Sequence, residues 1–201
     1  MSKYIFRCIL LMIILGGINN NVTAFDFPGD GKAIQPDDIV NTFPVPPANP
    51  KMMFYVQRTP NTNTIIYELN MNNGVLDEHD PIKISWIRYA DKGQREGLNF
   101  IQRKFAYGLK VSKIAEGKWK LLFAAYDKIP FYLMKSTAGN YHVYVEINDK
   151  LAVLDRIYIR IDPGGTFWSP NVKYVEFKGK DPATNKVVAQ RINPKWTPPK
   201  R

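Results

Sequence analysis

Cysteine is almost missing from this 201-residue chain: there is one, Cys8, and only two histidines, His79 and His142. Cys8 lies in an N-terminal stretch that reads as removable, so the mature chain is expected to hold no thiol. That excludes disulfides, thiolate nucleophiles and cysteine-bound zinc. "LDEHDP" gathers Asp77, Glu78, His79 and Asp80, but with no spaced partner ligands it reads as a polar loop. No metal and no cofactor are expected. His142 alternates with Tyr141 and Val143 and reads as an exposed strand residue. A Gly-x-Ser-x-Gly elbow is also missing, which leaves acyl-transfer chemistry without support. A carboxylate pair for glycoside cleavage is a matter of three-dimensional spacing, and the sequence leaves it open.

Long apolar runs are scarce too. Ile9 to Ile18 follows Lys3 and Arg7 and precedes "VTA", the pattern of an export signal over residues 1–24 cut after Ala24. A retained anchor is the alternative, although the run falls short of the roughly 20 residues a span needs. No second such run follows, so no integral span is expected after removal. The expected location is periplasmic or extracellular.

Basic residues and proline are plentiful. Lys and Arg number 28 against 18 Asp and Glu, a net charge of +10. The excess is concentrated in residues 173–201, where eight basic residues face two acidic ones. A basic exported chain favours anionic surfaces such as lipid headgroups or acidic glycans. Nucleic acid is not expected, since no Arg-rich helix and no RNA-binding signature is present. Residues 25–50 hold six prolines and no sustained periodicity, which predicts an extended arm or linker. Residues 194–201, "PKWTPPKR", predict a basic Pro-rich tail. Between them, 51–193 reads as a single domain.

That domain alternates apolar residues with period two in "MMFYVQR", "TIIYELNM", "IKISWIRY", "KWKLLFAAY", "FYLMK", "YHVYVEIN", "LAVLDRIYIRI", "VKYVEFKG" and "KVVAQRI". About nine closely spaced strands without helical crossovers predict a mainly β fold, an antiparallel barrel or sandwich. One amphipathic helix, about residues 95–107, interrupts them. Its stripe is Leu98, Ile101, Phe105 and Leu109, its start is Asp91 with Gln94 or a point near Glu96, and Gly108 suits a left-handed cap.

Strand geometry places a candidate site. Arg58 continues the inward set Met52, Phe54, Val56, and Arg88 continues Ile82, Ile84, Trp86. In a meander both arginines reach one end of the sheet, about 10 Å apart, beside the loop carrying Asn61 and Asn63. Gln102 falls near the core face of the helix and needs a partner, for which Arg88 is the candidate, while Arg103 points away. Tyr107 closes the same helical stretch. Arg58, Asn61, Asn63, Trp86, Arg88, Gln102, Arg103 and Tyr107 together suit an anionic or polar ligand, because guanidinium grips carboxylate or phosphate and indole offers a flat face. The alternative is that both arginines lay their stems over the core edge with their heads in water.

"RTPNTNTIIYEL", "DPIKISWI", "LNFIQRKFAYG" and "PNVKYVEFKG" together resemble an uncharacterised bacterial exported family, the domain of unknown function numbered 4833, over about residues 51–192. The resemblance implies one exported domain and brings no activity or cofactor. It also implies Glu at the position of Gln102, so this chain departs there and an acid role is not carried over. The leading expectation is a non-catalytic binding or structural module of the cell envelope, meeting an anionic surface or glycan. The alternatives are a hydrolase of an envelope polymer and a barrel-type carrier of a small apolar ligand.

Overall fold

The structure, a computed structural model, describes residues 42–166 and 169–193, without the side chains of 165–170. The expected export signal, most of the expected arm, Trp168 and the tail lie outside the described residues.

The domain is mainly β, as the alternation predicts, and it forms a strongly curled half-barrel. The strands are β1 Met52–Arg58, β2 Thr64–Leu69, β3 Met71–Asn72, β4 Val75–Leu76, β5 Ile82–Ile87, β6 Arg95–Gly97, β7 Leu109–Ala115, β8 Lys118–Phe123, β9 Phe131–Lys135, β10 Tyr141–Ile147, β11 Lys150–Thr166, β12 Ser169–Lys180 and β13 Val187–Ile192. Among the described residues the α-helical segment is α1 Phe100–Gln102, continued by a π-helical turn, Arg103–Tyr107.

Two arms meet on β11. One runs β6-β5-β2-β1, the other β7-β8-β9-β10. β10 pairs antiparallel with the start of β11 (Val145↔Ala152), and β1 pairs with it further along (Val56↔Ile157). Val153 faces Tyr144 and Lys180, and Ile157 faces Val56 and Phe177, so both arms use one edge of β11 and β12 uses the other. The β1–β11 pair is parallel. The sheet is therefore mixed, where the sequence predicts an antiparallel one. All other pairings are antiparallel.

A register shift between Leu154 and Arg156 separates the two arms. Ala152 and Leu154 face the core before it, and Ile157 and Ile159 after it. One extra residue reverses the alternation, because strand side chains have period two. The arms then curl toward each other and enclose an aromatic core. Phe54 stacks on Tyr67 at 4.3 Å between centroids, and Phe123 meets both rings edge-on. Edge and offset contacts of this kind add about 0.5–1.5 kcal/mol per pair beyond the area they bury.

β2 is buried along both faces apart from its last residue. The inner face carries Ile65 and Tyr67. The outer face carries Ile66, which lies with Pro46 and Pro47 along a groove under the chain leading into β1. This leading segment is a strap. Phe43 meets Tyr158 edge-on at 5.4 Å, the Pro44 carbonyl accepts from the Gln57 amide at 2.8 Å, and the Asn49 amide donates to Glu68. Phe43, Tyr158 and Tyr174 form a small second cluster on the outer face.

The helical segment differs from its expected form. Residues Arg95–Gly97 pair with β5 as β6, so the helix cannot begin there. It begins at Phe100, capped by Asn99, whose side chain accepts from the Gln102 amide while Gln102 accepts from the Asn99 amide. That is a reciprocal capping box, three residues after the later of the two expected starts. Gly108 is extended, at φ −65° and ψ 160°, and is not a left-handed cap. Its glycine has another reason: a Cβ there would meet the Arg103 carbonyl oxygen at 1.9 Å.

Candidate ligand-binding site at the mouth of the half-barrel

Register puts the predicted polar residues at one end of the first arm. Val56 faces Ile65, and Ile65 faces Trp86. Arg58 closes β1 and Arg88 follows directly after β5, so both lie at that end. Their side chains serve different structures.

Arg58 is buried, and its Nε donates to the Tyr107 hydroxyl at 3.3 Å. Tyr107 is held from several sides. Its carbonyl accepts from the Tyr67 hydroxyl at 2.9 Å, and its ring meets Trp86 edge-on at 4.9 Å. Burial, and secondarily the neighbouring Tyr107, push the Tyr67 phenol well above its ordinary value. The Trp86 indole N–H donates to the Gln102 side-chain oxygen at 3.3 Å. Arg58, Tyr107, Trp86 and Gln102 are thus one connected buried set.

The remaining predicted residues lie around it. Asn61 accepts from the Asn63 amide at 3.2 Å, and buried Asn63 accepts from the Ala90 amide at 2.9 Å, fixing the two loops at this end. Arg88 pairs with Asp91 at 2.9 Å and lies 3.8 Å from Glu96. The expected Arg88–Gln102 bond is replaced: Gln102 accepts from Trp86 and Asn99, and Arg88 turns to Asp91 in the following loop and Glu96 on β6. Arg103 is exposed and 3.8 Å from Asp80.

Beside this set lies a cavity of about 90 Å³ with an almost wholly apolar lining. Tyr107 joins the two, since it lines the cavity and also accepts from Arg58. Val56, Ile157 and Ile159 form the sheet wall, Val175 and Phe177 the side on β12, and Ala125, Tyr126 and Ile129 a loop across it. The helical segment borders that loop, for the Ala124 amide donates to the Gly108 carbonyl at 2.8 Å. No carboxylate, imidazole or aliphatic hydroxyl lines the space.

Sequence reasoning names Tyr107 but not the rest of this lining. The alternation of β11 and β12 marks Ile157, Val175 and Phe177 as inward. Whether inward side chains fill the volume or leave a gap is a property of packing between distant elements. Among the described residues no group of three His, Asp or Glu is placed to hold a metal ion, and no helix is long and apolar enough to cross a membrane.

Fold and site define a mainly β half-barrel with an apolar mouth and a helical segment at its rim. Residues 54–191 match the family described as a domain of unknown function, DUF4833, and the chain belongs to that family. No curated protein and no solved structure matches it.

Proposed function

We propose that the protein is a non-catalytic binding module that takes an apolar group of its ligand into the mouth of the half-barrel. One observation carries this reading: a cavity of about 90 Å³ walled by aliphatic and aromatic side chains of the core. A ligand that fills it recovers the missing contacts. An apolar cavity of about 150 Å³ accepts benzene, so this smaller space suits a short alkyl segment.

The other expectations are less favoured. Arg88 already faces two carboxylates, and Gln102 and Asn63 are engaged within the fold, which weakens a rim site for an anionic ligand. The cavity lining supplies no carboxylate to act as acid or base in hydrolysis. Placement in the cell envelope rests on the export pattern of residues 1–24.

The test is titration with the short neutral alkanol 1-butanol, followed by the NMR shifts of the cavity methyl groups. Saturable one-to-one binding is expected, and Ala125→Phe should weaken it at least tenfold while leaving the circular dichroism spectrum unchanged. The absence of saturable binding to the wild type would overturn the reading, as would unchanged affinity in the filled variant.

A further inference from the structure

The helical segment faces the wrong way for a helix that only packs. The apolar stripe Leu98, Ile101, Phe105, Leu109 is expected to meet the core, yet Ile101 is 46% exposed and Phe105 43%, and Phe100 beside them is 70% exposed. The residues turned inward are Gln102, Ala106 and Tyr107. The cause is specific. Gln102 is held by Trp86 and Asn99, and Tyr107 by Tyr67, Arg58 and Trp86, so the rotation of the segment is fixed by polar bonds. Leu98 and Leu109 at its two ends still pack against the core, and Phe100, Ile101 and Phe105 between them are left outside as a consequence.

Single exposed hydrophobic residues need no explanation, but grouped ones mark contact surfaces. Among the described residues the other large exposed hydrophobics, Val45, Val75, Ile114, Leu151 and Val187, are scattered over separate elements and none is aromatic. The two phenylalanines exposed among the described residues lie on this segment, and Lys104 stands between them, its Nζ 5.3 Å from each ring centre. No carboxylate pairs with Lys104 among the described residues. The neighbouring cations Arg103 and Lys110 have only long, exposed pairings, to Asp80 at 3.8 Å and Asp127 at 3.6 Å. Pairs of that kind are worth little and exchange readily for another anion.

From this we infer that residues Phe100–Phe105 dock the protein on an anionic lipid surface. Phe100, Ile101 and Phe105 enter the boundary between headgroups and acyl chains, while Lys104 and Arg103 meet the phosphates. Charge selects this occupant. The chain carries a net charge of +10, and an aromatic wedge flanked by cations matches an interface that is apolar below and negative above. The inference goes beyond the cavity reading and uses other side chains. The segment also adjoins the loop that walls the cavity, so docking would bring the mouth near the acyl chains.

The test is flotation of the full chain with vesicles of phosphatidylcholine, with and without phosphatidylglycerol, across a salt series. Wild type and variants share one N-terminus, so their difference reports the segment alone. Wild type is expected to bind the anionic vesicles, less at high salt, and Phe100→Ser with Phe105→Ser to weaken binding at least tenfold with an unchanged circular dichroism spectrum. Phe100→Trp should raise and blue-shift the emission on anionic vesicles only. Equal binding by wild type and the double variant overturns the proposal. So does the absence of wild-type binding at low salt, or a wild-type dimer that the double variant abolishes, since the face would then belong to a second copy. None of these results bears on butanol binding in the cavity.

Discussion

Gln102 is a polar residue in a position the hydrophobic pattern assigns to the core, and its whole role follows from one oxygen. That oxygen accepts from Trp86 at 3.3 Å and from the Asn99 amide at 3.0 Å. Gln102→Ala leaves two donors without their acceptor. A loss of about 1–3 kcal/mol is expected, read as a lower urea midpoint. Gly108→Ala acts by sterics alone, since φ is ordinary there but the new methyl would meet the Arg103 carbonyl. A destabilisation of about 1–3 kcal/mol is expected from the forced shift, checked by the same melt. The sequence shows that Gln102 needs a partner, but it misidentifies the partner. "NFIQ" contains the true capping box, yet Asp91 with Gln94 satisfies the same spacing. The Trp86 contact that orients the segment comes from a residue sixteen positions earlier on another element.

At the scale of elements, half-buried strands are legible because one face is apolar and the other is not. β1, β5, β8, β9, β10, β12 and β13 follow from alternation, as do β2 and β11. β7 does not. Its Leu109 reads as the end of the helical stripe, and the rest of "LKVSKIA" is mostly exposed, giving little contrast between faces. The parallel β1–β11 pairing is invisible to pattern because nothing local in "YVQR" names its neighbour. The shift at Leu154 hides in an unbroken run of strand formers. Turns are held by local bonds, as in "KDPATNK". The Asp181 carboxylate accepts from the amides of Thr184 at 2.8 Å and Ala183 at 2.9 Å, which hold its pKa below the ordinary 3.8. The stabilisation is therefore fully present above about that value and is lost as pH falls through the lowered folded value. Asp181→Ala should lower the urea midpoint at neutral pH, and the gap between variant and wild type should close at strongly acidic pH.

For the whole molecule, the strap ties a Pro-rich segment to the outer face of the curled sheet. Its anchors are Phe43 on Tyr158, Pro44 on Gln57 and Asn49 on Glu68. Composition marks this stretch as irregular, but cannot say whether it adheres. Phe43→Ala should uncover Tyr158 and Tyr174 and cost about 3 kcal/mol, near the lower limit for buried phenylalanine because the site is at the surface. Hydrogen exchange should then speed up in β11 and β12 and stay unchanged in β8 and β9. The mouth of the half-barrel was only partly legible. Arg58 and Trp86 are readable at one end of the sheet from strand phase and Gln102 from helical phase, whereas the gap beside them arises from how two arms fail to fill a shared space.

The joint that closes this fold is made by segments about a hundred positions apart, with Tyr55 beside Arg156. A chain lengthening from its amino end must hold β1 half-partnered until nearly everything else exists. Such long-range closure is slow, on the order of milliseconds to seconds. Until then the future inner wall of the first arm stays open to solvent and to other chains.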